Sequence, residues 1–145
     1  MAAGVRADVT VARPAAEVFA YLADPANDVA WRSEVTAVTH VGGTAGTPGA
    51  SYREHLSVSG RDVEIGLVIT AVSNPSSVTF QVDGPVDATG GYRLSAQGDG
   101  TLVEFHAAFA SSGLRRLFDP VVAAAVQRVA DGNLQRLRAI LEAVA

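Results

Sequence analysis

Cysteine is missing from this chain, which removes disulfides, thiolate metal sites and a cysteine nucleophile from consideration. Lysine is missing as well. All 11 basic residues are arginine, and only Arg115 and Arg116 adjoin. Against 15 acidic residues they leave a net charge of −4, so no basic face exists to neutralise phosphates, and nucleic acid is not an expected partner. Long apolar runs are also lacking. Gly, Arg or Asp interrupts each one before the ~18 residues a membrane helix needs, so stable membrane insertion is not expected. The opening residues Met1–Arg6 lack the apolar stretch of a signal peptide, and cytoplasmic residence is the default expectation. The stretch from Gly42 to Thr47 carries no lysine and precedes no helix, which excludes a phosphate-cradling loop; Gly42 to Gly49 reads instead as a mobile loop at the mouth of a cavity.

What the chain does have is apolar surface. Hydrophobic residues make up 48% of 145 residues and charged ones only 18%, rather apolar for a chain this short. Either the core is generous or an internal surface is apolar. The length suits one domain, spanning 1–145, with a real core.

The order of patterns points to the architecture. Val5, Ala7, Val9 and Val11 alternate with polar residues as a first strand. Pro14 then opens a short helix to about Ala23, and Asp24-Pro25 caps and starts a second one ending near Trp31. From Glu34 to Ala110 the apolar period is two, with turn signals at Gly42-Gly43, Ser59-Gly60, Asn74-Pro75, Gly84-Pro85 and Gly98-Asp99-Gly100. A two-residue Ser59-Gly60 turn pairs Val58 with Arg61, Leu56 with Val63, Glu54 with Ile65 and Tyr52 with Leu67. Val78, Phe80 and Val82, then Gly90, Tyr92 and Leu94, then Val103, Phe105, Ala107 and Phe109 continue the inward face. Arg53, His55, Glu64, Arg93, Glu104 and His106 take the wet one. After Gly113 the period becomes about 3.6, with Asp119-Pro120 starting the last helix after a turn at Leu114 to Phe118. Its expected buried stripe is Val122, Ala125, Val126, Val129, Asn133, Leu137, Ile140 and Val144. The expected fold is α+β: a curved antiparallel sheet of six to seven strands wrapped around a long C-terminal helix, with two short helices after strand 1. A helix laid over a curved sheet leaves a gap, and function would sit there.

The run Arg13-Pro14-Ala15-Ala16-Glu17-Val18-Phe19-Ala20-Tyr21-Leu22-Ala23-Asp24-Pro25, followed by Trp31, resembles the N-terminal signature of the START/Bet v 1-like (SRPBCC) superfamily. Within it the chain is similar to the polyketide cyclase/dehydratase and lipid-transport branch. Ser59-Gly60-Arg61, Asn74-Pro75, Gly98-Asp99-Gly100-Thr101 and the last helix match in the same order. The resemblance implies a helix-grip fold with a hydrophobic cavity between sheet and helix, and only loosely a ligand class, since members include carriers, cyclases and accessory proteins. Fold does not settle function.

Within this frame Asn133 is an amide where a core prefers Leu or Ala. It hydrogen-bonds either a ligand or the backbone of a nearby loop, since an unpartnered buried amide costs about 1–3 kcal/mol. Beside it Gly132 leaves room for a ligand or lets the sheet approach. Glu54 shares a face with Tyr52 and Leu56. In a dry cavity it would serve as general acid or base; otherwise it is paired or at the rim, for instance beside Arg32 or Arg136, or a one-residue register slip puts it in water. Tyr92 joins Glu54 as a catalytic candidate. Trp31, Tyr52, Phe80, Tyr92, Phe105 and Phe109 supply aromatic walls for either a cavity or a core, with Val129, Asn133 and Leu137 facing them from the helix. The histidines are placed outward or in loops, so neither a metal site nor a Ser-His-Asp triad is expected, and no cofactor is implied. The leading reading is a binder of a hydrophobic small molecule: a lipid, polyketide or isoprenoid-like compound. A polyketide cyclase or dehydratase and a non-enzymatic interaction subunit are the alternatives. The assembly is a monomer or homodimer.

Overall fold

The computed structural model describes residues 4–58, 60–84, 87–109 and 120–143, with the side chains of 120–123 left aside. β1 (Gly4–Val11) leads into α1 (Ala15–Leu22), a 3-10 turn (Pro25–Asn27) and α2 (Asp28–Trp31). Six strands follow: β2 (Val35–Gly42), β3 (Ser51–Val58), β4 (Arg61–Ser73), β5 (Ser77–Asp83), β6 (Ala88–Gln97) and β7 (Gly100–Phe109). The last described element is α3 (Pro120–Ala143). The seven strands form one antiparallel sheet in the order β1-β7-β6-β5-β4-β3-β2, so β2 to β7 make a meander and β1 pairs with β7. This is the expected helix-grip α+β fold.

Local chemistry explains the elements. Asp24 Oδ1 accepts from Ala26 N at 3.1 Å, and Pro25 occupies the first helical position, so the second helical segment starts as the cap-plus-proline pattern demands. Pro14 sits one position earlier than expected, at the N-cap of α1 rather than within its first turn. The β3–β4 register matches the pairing read from the Ser59-Gly60 turn: Val58 faces Arg61, Leu56 faces Val63, Glu54 faces Ile65 and Tyr52 faces Leu67. Gly60, at φ 78, supplies the left-handed residue this tight turn requires. Register shifts between Val35 and Ala37, His40 and Gly42, and Ile69 and Ala71 mark bulges, which bend a sheet.

The core gathers Val9, Val11, Val18, Phe19, Leu22, Trp31, Tyr52, Leu67, Ile69, Val78, Tyr92, Leu94 and Val103 beneath Leu134, Leu137 and Leu141 of α3. The helix is rotated from the phase read in its sequence. Asn133 and Leu137 are buried as expected, but Val129 is 41% exposed and Ala125 is also in solvent, while Leu134 and Leu141 are buried in their place. The cause is where α3 rests. Gln127 Nε2 donates to Arg6 O at 2.7 Å and Glu142 Oε2 accepts from Ala12 N at 2.8 Å, fixing the helix along edge strand β1. A residue's burial follows that neighbour rather than the apolar stripe alone. The side chain of Val122, and Val144 and the turn at Leu114 to Phe118, fall outside what is described. Gly132 has open space where a Cβ would stand, so it neither admits the sheet nor makes room in the interior.

Candidate functional site

Burial of the sheet's inner face is graded. At the Val11 end, Val11, Val103, Thr101, Leu94 and Val78 are sealed. Along the same face toward Phe109, apolar residues that also point inward stay only half-buried: Phe80, Val82, Phe105, Ala107 and Phe109. Val126 and Ala130 in the N-terminal half of α3 are half-buried as well. Such a wall costs about 25 cal/mol for each Å² of apolar surface left accessible, a cost a fully packed core avoids.

Tyr92 joins this wall to a polar cluster. Its ring lies 5.8 Å from Phe80, 5.5 Å from Phe105 and 6.0 Å from Trp31, all tilted. Beside it, Arg32 at the end of α2 meets three carboxyls. Nη1 donates to Asp28 Oδ2 at 3.2 Å and to Glu54 Oε1 at 3.1 Å, and Nη2 donates to Glu34 Oε2 at 3.1 Å. Asn133 closes the cluster from α3: Nδ2 donates to Glu34 Oε1 at 2.7 Å, while Oδ1 accepts from Ser33 N and Ser33 Oγ, each at 3.0 Å. Four segments thus meet: α2, the link to β2, β3 and α3.

The electrostatics follow from one cation among three acids in a dry place. Burial pushes Asp28 well above the usual aspartate range; Arg32 opposes this, but a hydrogen bond and the charge of Glu54 add to it. Glu54 Oε2 is buried with no hydrogen-bond partner among the described residues. Burial alone would lower Arg32, yet Asp28, Glu54 and Glu34 outweigh it and keep the guanidinium charged. Glu34 goes the other way: burial would raise it, but Arg32 and the Asn133 amide hold it below the ordinary glutamate range. Burial, then the Asp28 charge, pushes the Tyr92 phenol well up, so it is a neutral donor. Trp31 Nε1 is buried without an acceptor among the described residues.

One consequence is a stability slope. A native pKa raised above the unfolded value means that the folded state holds the proton more tightly. Asp28's contribution is full below its ordinary value of 3.8 and declines as pH rises through its raised value, by at most about 1.4 kcal/mol per pH unit. Asp28→Asn removes the titrating carboxyl at nearly constant volume and should flatten that slope, making the variant the more stable form at pH 8. Urea unfolding across a pH series checks this, and equal slopes in the two proteins would refute it.

The sequence candidates distribute unevenly. Glu54 is fully buried and paired to Arg32, not to Arg136, which reaches Ala30 O instead at 3.4 Å. Asn133 makes the loop-backbone bond named as one alternative and adds Glu34. Trp31, Tyr92 and Leu137 are buried near this centre, and Phe80, Phe105 and Phe109 lie on the half-open wall. Tyr52 stands apart: its Oη accepts from Gly46 N at 3.3 Å and its ring stacks on His40 at 4.8 Å. That bond, with Gly49 N donating to Ile69 O at 2.8 Å, pins the glycine-rich loop to the sheet. Val129 faces outward. Asp28 and Glu34 do not stand out in the sequence. The signal for Asp28 is its i,i+4 spacing to Arg32 on the segment that buries Trp31. Among the described residues, no His, Asp and Glu group has the arrangement of a metal site.

Comparisons place this geometry. A family model described as polyketide cyclase / dehydrase and lipid transport matches residues 2–142, and the chain belongs to that family. A search of curated proteins returns no match. Among solved structures, a START superfamily protein from Mycobacterium smegmatis superposes with a TM-score of 0.79 at 14% identity, covering 98% of this chain and 99% of the other. A Thermus thermophilus protein, TTHA0849, gives 0.78 at 18% identity over 99% and 100%. Major latex-like protein 151 from Panax ginseng gives 0.74 at 13% identity over 95% and 96%. At these identities the likeness is one of fold.

Proposed function

From membership of this family we propose that the chain binds a hydrophobic small molecule against the half-open inner face of its sheet, under the N-terminal half of α3. The observation that carries this reading is the graded burial. Phe80, Val82, Phe105, Ala107 and Phe109 point inward yet remain half-accessible, while the same face is sealed at its other end. An apolar wall with few polar groups beside it is the chemistry of a small-molecule pocket. The family's description, which includes lipid transport, supports the same reading.

The test is direct. Nile red added to purified protein should gain fluorescence, and Phe105→Ser with Phe80→Ser should abolish the gain while leaving the circular dichroism unchanged. Native mass spectrometry of the same sample would show any carried lipid. A protein that takes up neither probe nor lipid overturns the proposal.

A second reading, polyketide cyclisation or dehydration, rests on the acid-bearing cluster behind Tyr92. The Tyr92 phenol and the Asp28–Glu54 pair are proton donors and acceptors held at the apolar wall. Formation of a cyclised product from a poly-β-keto thioester, lost in Tyr92→Phe, would favour it over carriage alone.

A further inference from the structure

The geometry points to a ligand whose polar end is a non-anionic hydrogen-bond donor, a hydroxyl or an amine, received at Glu54, Asp28 and Tyr92; carboxylate-ended lipids are rejected. This rests on the binding reading above and adds its polar specificity.

Three observations carry it. Arg32 already answers three carboxyls, its Nη1 donating to Asp28 and Glu54 and its Nη2 to Glu34. The cluster sets three acidic groups against that one guanidinium, so acids outnumber the cation. A buried ion without an equal partner is costly, and a second anion brought there adds like-charge repulsion at low dielectric.

The second observation is an acceptor in want of a donor. Glu54 is 0% exposed, and its Oε2 has no hydrogen bond from any described donor in the cluster that surrounds it. A ligand O–H or N–H can serve that oxygen. Trp31 Nε1, on a residue 2% exposed and next to Arg32, is likewise unpartnered among the described residues, and a hydroxyl oxygen is an acceptor it can use. Third, the cluster adjoins the apolar wall. Tyr92 packs on Phe80 and Phe105, which are half-buried, and on Trp31, which is part of the polar centre's own segment. An alkyl or ring body lying on the wall therefore presents its end to the acids.

The experiment uses one chain with three ends. Nile red bound to the full protein at pH 7 is displaced by lauryl alcohol, laurylamine or laurate, each below its micelle concentration. Alcohol and amine should displace the probe at concentrations at least about tenfold lower than laurate, a difference of about 1.4 kcal/mol. Glu54→Gln should shrink that preference. Glu34→Gln, at a position with 21% of its side chain accessible, gives the same readout should the first variant fail to fold. Laurate binding as well as the alcohol, or a preference unchanged in a folded variant, overturns the inference and leaves the binding reading standing. Absence of Nile red uptake overturns the binding reading itself.

Discussion

Arg32→Met should destabilise the protein by about 3–5 kcal/mol and lower its melting temperature by roughly 10 °C or more. The side chain is replaced by one of similar length, so lost packing is a small part of the effect. What disappears is the only cation touching Asp28, Glu54 and Glu34 among the described residues, whose side chains are 6%, 0% and 21% accessible. Buried carboxylates left without it must take up protons or unfold the surroundings. The penalty should therefore be smaller at pH 5 than at pH 7, which lost packing would not produce. Adding Asp28→Leu and Glu54→Leu to Arg32→Met should restore part of the loss, since a buried ionic group can be exchanged for apolar residues of similar volume at little cost. Thermal unfolding of the single and triple variants at both pH values decides the matter. A loss below about 1 kcal/mol at pH 7 would show that the cluster holds no uncompensated charge.

This cluster also marks the limit of what the sequence disclosed. The sheet was legible because its information is local. Alternation fixes faces, and the Ser59-Gly60 turn fixes a register that then runs unchanged through Glu54–Ile65 and Tyr52–Leu67. The Asp24-Pro25 start was legible for the same reason, since a cap and its target lie two residues apart. Glu54 announced itself as a polar residue on an apolar face, and Arg32 was among the partners that could answer it. Asp28 and Glu34 did not stand out, because an acid near a short helix is ordinary until tertiary packing buries it. Glu34 meets Asn133 across 99 residues, a juxtaposition that no local period encodes. The same cause misplaced Val129. Helical periodicity finds an apolar stripe, but the direction in which α3 turns is set by β1 and by the bonds to Arg6 and Ala12 at its flanks.

That rotation has a measurable consequence on the helix. Leu137→Ala should cost about 2–5 kcal/mol, whereas Val129→Ala should change stability by no more than about 0.5 kcal/mol. Leu137 is 0% exposed and sits in the core with Leu134, Leu141 and the sealed end of the sheet, so truncation leaves a cavity that β-sheet neighbours cannot collapse into. Val129 is 41% exposed, and its methyl groups lose little that water does not replace. A stripe centred on Val129, as periodicity alone suggests, would give comparable losses at the two sites. Urea unfolding of both variants separates these outcomes. If Val129→Ala proved as costly as Leu137→Ala, then α3 would be seated on the stripe that periodicity alone suggests, and the rotation that buries Leu134 and Leu141 in place of Val129 would be refuted. A large loss at Leu137 with none at Val129 instead ties the packing of the helix's C-terminal half to the same orientation that delivers the Asn133 amide to Glu34.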